Sequence, residues 1–335
     1  MHLAIEQGND RVGFDHATAT SFRKQEPDQP SAQPIVPVPT IKHALKNLLN
    51  RCSLVVPECP RHIDLTARCI EEAITRGYIS SADEFFGRLV FQGAVMVNTA
   101  YAHQSEKIQV FISLYTAFLM YLDDAEYDVV RQFNHRFVAR EPQGSERLEH
   151  FAALLLELPD IFGTFSADMM TMSTMNLLNS RAIEKELKSM KLEDSALAFP
   201  AYLRALSGVA ESYSLFIFPP ELPLSDYIQA LPDCIVYINS GNDVLSFYKE
   251  QLAGDILNRI YLTAQCRGID PVVVLQEAAD ETVICHQRIM NTLKAHKDAL
   301  NAYLSFSQGY NKWHLEVERY KLRELDLELE TQSHL

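Results

Sequence analysis

Hydrophobic positions recur along this chain at the spacing of a helix and almost nowhere at that of a strand. Between Ile41 and Cys52 the apolar residues Ile41, Ala44, Leu45, Leu48 and Leu49 form the i, i+3, i+4, i+7, i+8 stripe of an amphipathic helix, with Thr40 as its N-cap. Residues 63–79 repeat the pattern, and Ser81-Ala82-Asp83-Glu84 opens a further helix running to about His103. Residues 105–124 are apolar nearly all round, from Val110, Phe111 and Ile112 to Tyr121 and Leu122, which predicts a helix buried on every side. More helices are predicted at about 147–160, 167–190, 199–217, 225–253, 257–266, 271–296 and 298–328. Pro219-Pro220 and Pro223 break one connection, and Gly268 and Pro271 punctuate another. Alternation is confined to short runs such as Val272–Val274, and no repeat has a solenoid period. The pattern predicts an all-α fold, ten or more helices in one domain.

The first 39 residues depart from it. They are polar and hold five of the fifteen prolines, crowded into Pro27–Pro39. Such a segment buries too little apolar surface to offset its ordering entropy. A disordered, proline-rich extension over 1–39 and a folded domain over 40–335 are expected. Composition agrees: 47% hydrophobic residues supply a sizeable core and 22% charged residues a soluble surface.

A net charge of −14 without any Lys/Arg run argues against a nucleic-acid surface. An acidic protein that binds a phosphate needs metal ions or a local basic cluster. The six cysteines include no C-x-x-C pair, and no apolar leader precedes them. No run approaches 18 apolar residues. Buried thiols in a soluble, cytoplasmic protein without a membrane span are expected.

Candidate chemistry centres on Asn242-Asp243-Val244-Leu245-Ser246-Phe247-Tyr248-Lys249-Glu250. On a helix, Asn242, Ser246 and Glu250 drift only about 80° around the axis and span roughly 12 Å along it. An amide oxygen, a hydroxyl and a carboxylate on one stripe are hard ligands, suited to Mg²⁺ or Mn²⁺ rather than zinc. Alone, such a pattern is usually an exposed polar face. A second cluster changes its weight: Asp123, Asp124, Glu126 and Asp128 put four acids in six positions directly after the buried helix. Repulsion and the helix macrodipole both disfavour them there, and divalent metal is the economical compensation. The two clusters suggest opposite walls of one metal site beside an apolar interior.

Together these motifs resemble class I terpene cyclases, most closely the trichodiene synthase-like branch of fungal sesquiterpene synthases. Phe199-Pro-Ala-Tyr-Leu-Arg204 and Gly309-Tyr-Asn-Lys-Trp-His-Leu-Glu-Val-Glu-Arg-Tyr-Lys-Leu322 extend the likeness over about residues 45–325. The resemblance implies a helical barrel with a central cavity, three Mg²⁺ ions with Mn²⁺ as substitute, and farnesyl diphosphate as substrate. Geranyl and geranylgeranyl diphosphate are alternatives, and a homodimer is possible. It implies that Asp123 bridges two metals with Asp124 in support, and that Asn242, Ser246 and Glu250 chelate the third. Arg204 is similar to the family's diphosphate-sensing arginine, and Lys249, Arg319 and Tyr320 to the groups that hydrogen-bond the diphosphate. Two departures stand out. Tyr127 occupies the fifth position of the aspartate-rich motif, between Glu126 and Asp128, and Ala205 follows Arg204 where relatives often carry a second arginine.

The constellation suits ionisation of an allylic diphosphate. Cations neutralise the leaving group, while an apolar, aromatic wall folds the cation, excludes water and stabilises charge through ring faces. Tyr310 and the only tryptophan, Trp313, are candidates for that wall, as plain core packing is for both. A trichodiene- or cuprenene-type product follows from the resemblance alone. A chain-elongating prenyltransferase and a non-catalytic all-α scaffold are the competing readings. The former should carry a second D-D-x-x-D motif where this chain has N-D-x-x-S.

Overall fold

The helical periods are realised as fourteen α-helices among the described residues, which in this computed structural model are 35–52, 63–79 and 83–327. In chain order they are α1 Val38–Arg51, α2 Ile63–Thr75, α3 Glu84–Ala100, α4 Glu106–Asp124, α5 Tyr127–Val130, α6 Phe133–Ala139, α7 Glu146–Leu156, α8 Leu158–Leu187, α9 Phe199–Ser207, α10 Ala210–Leu215, α11 Leu231–Leu252, α12 Arg259–Arg267, α13 Pro271–Leu293 and α14 Lys297–Glu316. No strand occurs among the described residues, so the all-α expectation holds.

α4 is the axis of the packing. Twelve of its residues between Ile108 and Leu122 are buried and both ends emerge, so Asp123 and Asp124 stand exposed where the apolar sequence stops. α3 packs along one flank of α4, and α14 packs against α3. That second contact is unusually close: a Cβ on Gly309 would lie 1.9 Å from the Thr99 carbonyl oxygen and 2.8 Å from Ala100 Cα. Only glycine lets the two backbones approach so far. α11 packs on α13 and α10, and α1 covers α13. A smaller apolar cluster of Leu187, Leu192, Leu203, Leu262 and Cys266 seats α9 between the end of α8 and α12. The cysteines at 52, 69, 234, 266 and 285 are buried free thiols; Cys59 lies outside the described residues. No helix of the described residues is long and apolar enough to cross a membrane.

Several boundaries differ from the expected ones. α1 begins at Val38, with Pro37 as cap residue, and Thr40 lies inside it. Pro39 explains the start: its fixed φ suits the first turn, where its missing N–H costs nothing. Val36 is 1% exposed and exchanges backbone hydrogen bonds with the Gln251 side chain, at 2.8 and 3.1 Å. The ordered chain therefore starts before residue 40, while residues 1–34 lie outside the described residues. The stretch expected at 199–217 is two helices, broken where Val209 adopts φ 49. α8 begins at Leu158 and kinks at Gly163, φ 74. α11 starts at Leu231, after two 3₁₀ turns at Leu224–Asp226 and Ile228–Ala230. α14 ends at Glu316, so Arg319 and Tyr320 sit on a separate 3₁₀ turn, Glu318–Tyr320.

Candidate active site

On α11 the helical period places Asn242, Ser246 and Glu250 on one stripe, as the spacing requires. Ser246, 1% exposed, donates its hydroxyl to Glu250 Oε1 at 2.5 Å. Burial pushes the Glu250 carboxyl above the usual range; the nearby Asp243 and Asp255 charges act the same way, and Lys249 and the Ser246 hydroxyl act against them. Lys249 Nζ lies 3.7 Å from Glu250 Oε1.

The orientation of Asn242 can be read from its neighbours. His314 Nδ1 lies 2.8 Å from the Tyr310 carbonyl, which can only accept, so Nδ1 carries the proton. The ring is fully enclosed, and burial pushes its pKa down to about 3, so it is neutral at pH 7. Nε2 is then an acceptor, and Asn242 Nδ2 donates to it at 3.3 Å. The amide oxygen of Asn242 is thereby turned away from His314. It accepts from Arg204 Nη2 at 3.0 Å.

Arg204 reaches α11 from α9, which Leu203 anchors in the smaller apolar cluster. Its Nε donates to Asp243 Oδ1 at 2.6 Å, and Nη2 reaches the Asn239 carbonyl at 3.3 Å. Asp243, 8% exposed at its side chain, has a second cation on its other oxygen: Arg259 Nε of α12, 2.6 Å from Oδ2. Sequence reasoning missed Asp243 and Arg259. No local signal marks Arg259, which lies 16 positions on and is brought back by the turn after α11.

The C-terminal cluster is aromatic. Tyr320 is buried, with the rings of His314 and Trp313 at 4.3 and 5.1 Å and the Lys249 ammonium 5.3 Å from its own ring centre. Trp313 is half-buried. Tyr310, 7% exposed, donates to the Ile238 carbonyl at 2.9 Å and so ties α14 to α11. Arg319 is exposed, and its charge adds to the burial that pushes the Lys249 ammonium down. Half-buried Tyr213 of α10, also missed, is near enough for the Tyr320 phenol to act on it, and donates to Thr116 Oγ1 at 3.2 Å. Deeper between α4, α8 and α10, Tyr115 Oη lies 2.7 Å from Thr174 Oγ1 and 3.0 Å from Ser212 Oγ. Both of those hydroxyls donate to the Met170 carbonyl.

The acidic cluster is compensated in part by α8. Arg181 Nη1 lies 3.7 Å from Asp123 Oδ1 and donates to Glu184 Oε2 at 2.9 Å, while Nη2 donates to the Ala125 carbonyl at 3.2 Å. Asp128 faces other partners, Lys185 Nζ at 3.6 Å and Arg131 Nε at 3.7 Å. The acids therefore do not form one set: Asp123 turns to Arg181, Asp128 to Lys185 and Arg131. The Asp123 charge also acts weakly on Lys249, opposing the burial that pushes the ammonium down. Among the described residues no three His, Cys, Asp or Glu side chains already converge on a point. Much of the oxygen donor set here is neutral, supplied by Asn242 and Ser246.

With this geometry in view, the comparisons with known proteins agree. The family described as "Trichodiene synthase (TRI5)" matches residues 62–334. An alpha-cuprenene synthase of Coprinopsis cinerea is 33% identical over 291 residues, covering 85% of this chain and 90% of that protein. The terpene synthase BipA of Cochliobolus sativus is 31% identical over 302 residues, covering 86% and 91%. A crystal structure of a linalool/nerolidol synthase from Streptomyces clavuligerus shares the fold, with TM-score 0.58 at 12% identity over 78% of this chain and 100% of that one. By sequence and by fold, the chain belongs to the trichodiene synthase family of terpene synthases, enzymes of the lyase class.

Proposed function

We propose that the chain ionises and cyclises farnesyl diphosphate, with Mg²⁺, and releases diphosphate and a sesquiterpene hydrocarbon. The observation that carries this reading is the Asn242–Ser246–Glu250 stripe on one face of α11, where a buried Ser246 hydroxyl meets Glu250 and Lys249 stands 3.7 Å from the same carboxylate; the acidic end of α4 is its proposed counterpart. The donor chemistry fits a hard divalent cation: an amide oxygen oriented by His314, a hydroxyl, and carboxylates at Glu250 and Asp123. Asp123, with Asp124, would hold metal from one side, and Asn242, Ser246 and Glu250 from the other. Mn²⁺ could substitute. When bound, these ions neutralise the diphosphate and make it a better leaving group.

The chain's own residues do the rest. Arg204 and Arg319 offer planar forks to phosphate oxygens, Lys249 a point charge, and Tyr320 a phenol proton. Burial that pushes Lys249 down and Glu250 up leaves both short of solvation and receptive to the opposite charge of a ligand. Trp313, Tyr310 and Tyr213 present rings to the hydrocarbon, each face offering a cation about 0.5–2 kcal/mol. The similarity to an alpha-cuprenene synthase supports a cuprenene- or trichodiene-type skeleton formed by an initial 1,6-closure. Purified protein incubated with farnesyl diphosphate and MgCl₂ should give a volatile hydrocarbon, identified by gas chromatography and mass spectrometry. Turnover undiminished by exhaustive EDTA treatment would falsify the metal-dependent reading.

A further inference from the structure

Asp243 is a buried carboxylate shared by two arginines of different helices. Arg204 holds Oδ1 in a well-aligned hydrogen bond of 2.6 Å. Arg259 Nε approaches Oδ2 to 2.6 Å but out of line, an ion pair without hydrogen-bond geometry. Arg259 is itself held from behind: Nη2 donates to Glu281 Oε2 at 3.1 Å and to Ser240 Oγ at 2.9 Å, and Ser240 donates to Glu281 Oε2 at 2.6 Å. Glu281 is 45% exposed at its side chain, whereas both arginines are 16% exposed. The cation engaged with Asn242 and Asp243 is thus Arg204, and the cation in reserve is Arg259.

The consequence concerns what Arg204 leaves behind. A guanidinium that turns to a diphosphate must release Asp243 and the Asn242 oxygen. A buried carboxylate stripped of its only partner is costly, so a lone Asp243 would hold Arg204 back. With Arg259 2.6 Å from Oδ2, the carboxylate keeps a counter-charge when Arg204 turns away. We infer that Arg259, which Asp243 shares with Glu281 and Ser240, is a positioning residue that takes over Asp243 and so frees Arg204 and the Asn242 oxygen for the diphosphate and its counter-ions. This rests on the reading of Arg204 as a diphosphate ligand.

The test uses the full-length chain with inorganic diphosphate and MgCl₂ as probe, titrated by calorimetry, with melting temperatures recorded alongside. Arg259→Gln should bind diphosphate about tenfold or more weakly, because Asp243 then keeps Arg204. Glu281→Gln should bind as wild type or tighter, since it removes the competitor for Arg259. In the double variant Arg259→Gln/Asp243→Asn most of the loss should be recovered, because no carboxylate remains to retain Arg204. Unchanged affinity in Arg259→Gln overturns the inference. Equal losses in Arg259→Gln and Glu281→Gln, following a common fall in Tm, also overturn it, by reducing the network to support for the fold. Should Arg259→Gln not fold, the Glu281→Gln arm decides, and weaker binding there sinks the idea. If the wild type itself binds no diphosphate with Mg²⁺, the diphosphate reading of Arg204 fails first, and the inference with it.

Discussion

Gly309→Ala strikes the close contact between α14 and α3 directly. The added Cβ would stand 1.9 Å from the Thr99 carbonyl oxygen, where ordinary contact begins near 3.4 Å, so the helices are too close by about 1.5 Å. The obstacle is backbone, and α3 cannot yield easily because Val97 and Ala100 are fully buried. α14 must retreat, or the methyl must be accommodated under strain. Overpacking of this kind costs about 1–3 kcal/mol. A retreat also weakens the Tyr310 hydrogen bond to Ile238, worth about 1 kcal/mol. The expected loss is about 2–4 kcal/mol. Urea denaturation at pH 7 measures it as a fall in midpoint at unchanged slope. The reaction products should broaden in parallel, since Tyr310, Trp313 and His314 move with the helix. A loss below about 1 kcal/mol with an unchanged product profile would refute the account of α14 as a helix wedged by its glycine.

Other outcomes can be checked on the same protein. Arg204→Met should slow diphosphate release about a hundred- to thousand-fold by removing a preorganised donor, whereas Trp313→Ala should slow it moderately and broaden the hydrocarbon mixture. One unchanged product at wild-type rate from Trp313→Ala would make the indole plain packing. Asp123→Asn should raise the Mg²⁺ requirement and lower kcat sharply, and Asp128→Asn much less, because Asp128 faces Lys185 and Arg131; equal damage from both would move the ligand set along the chain. His286 is buried and its pKa is pushed down to about 4, from 6.5. Its contribution to stability is complete above pH 6.5 and is lost as pH falls through about 4, at up to about 1.4 kcal/mol per pH unit. His286→Gln, whose amide can still meet the Tyr303 hydroxyl, should flatten that loss in urea titrations between pH 7 and 4. Parallel curves for wild type and variant would clear His286.

The helices were legible because burial imposes a period, and α1 shows it best: the stripe Ile41, Ala44, Leu45, Leu48 and Leu49 became its buried face. The stripe on α11 was legible for the same reason, its three oxygen-bearing residues being separated by single turns. Breaks were not. Val209 follows Ser207-Gly208, a turn signal outweighed by the apolar period around it, and its left-handed φ of 49 is imposed by packing, since a β-branched residue does not adopt it unaided. Likewise Val317 leaves the helix extended, so Arg319 and Tyr320 reach Lys249 from a turn. The acids after α4 read as one cluster, yet α5 and α8 sort them between Arg181 on one hand and Lys185 with Arg131 on the other. Asp243, adjacent to a singled-out asparagine, escaped notice because its partners lie 39 residues before it and 16 after it. Contacts between helices carry no local period.

The hydroxyls tied together behind the aromatic wall bear on how long such an enzyme survives its own chemistry. An allylic cation is an alkylating agent, and a phenol or alcohol free to swing toward it is a nucleophile. Tyr115 is enclosed by Thr174 and Ser212, which both turn their protons to Met170, Tyr213 is joined to Thr116, and Tyr310 to the α11 backbone. Each oxygen is held at a fixed angle by a partner, with little freedom to swing toward a passing carbon. On the proposed reading, rings whose hydroxyls are each anchored to a fixed partner can meet the cation with their π-faces alone, and that restraint would let a single protein molecule outlast many reactive intermediates.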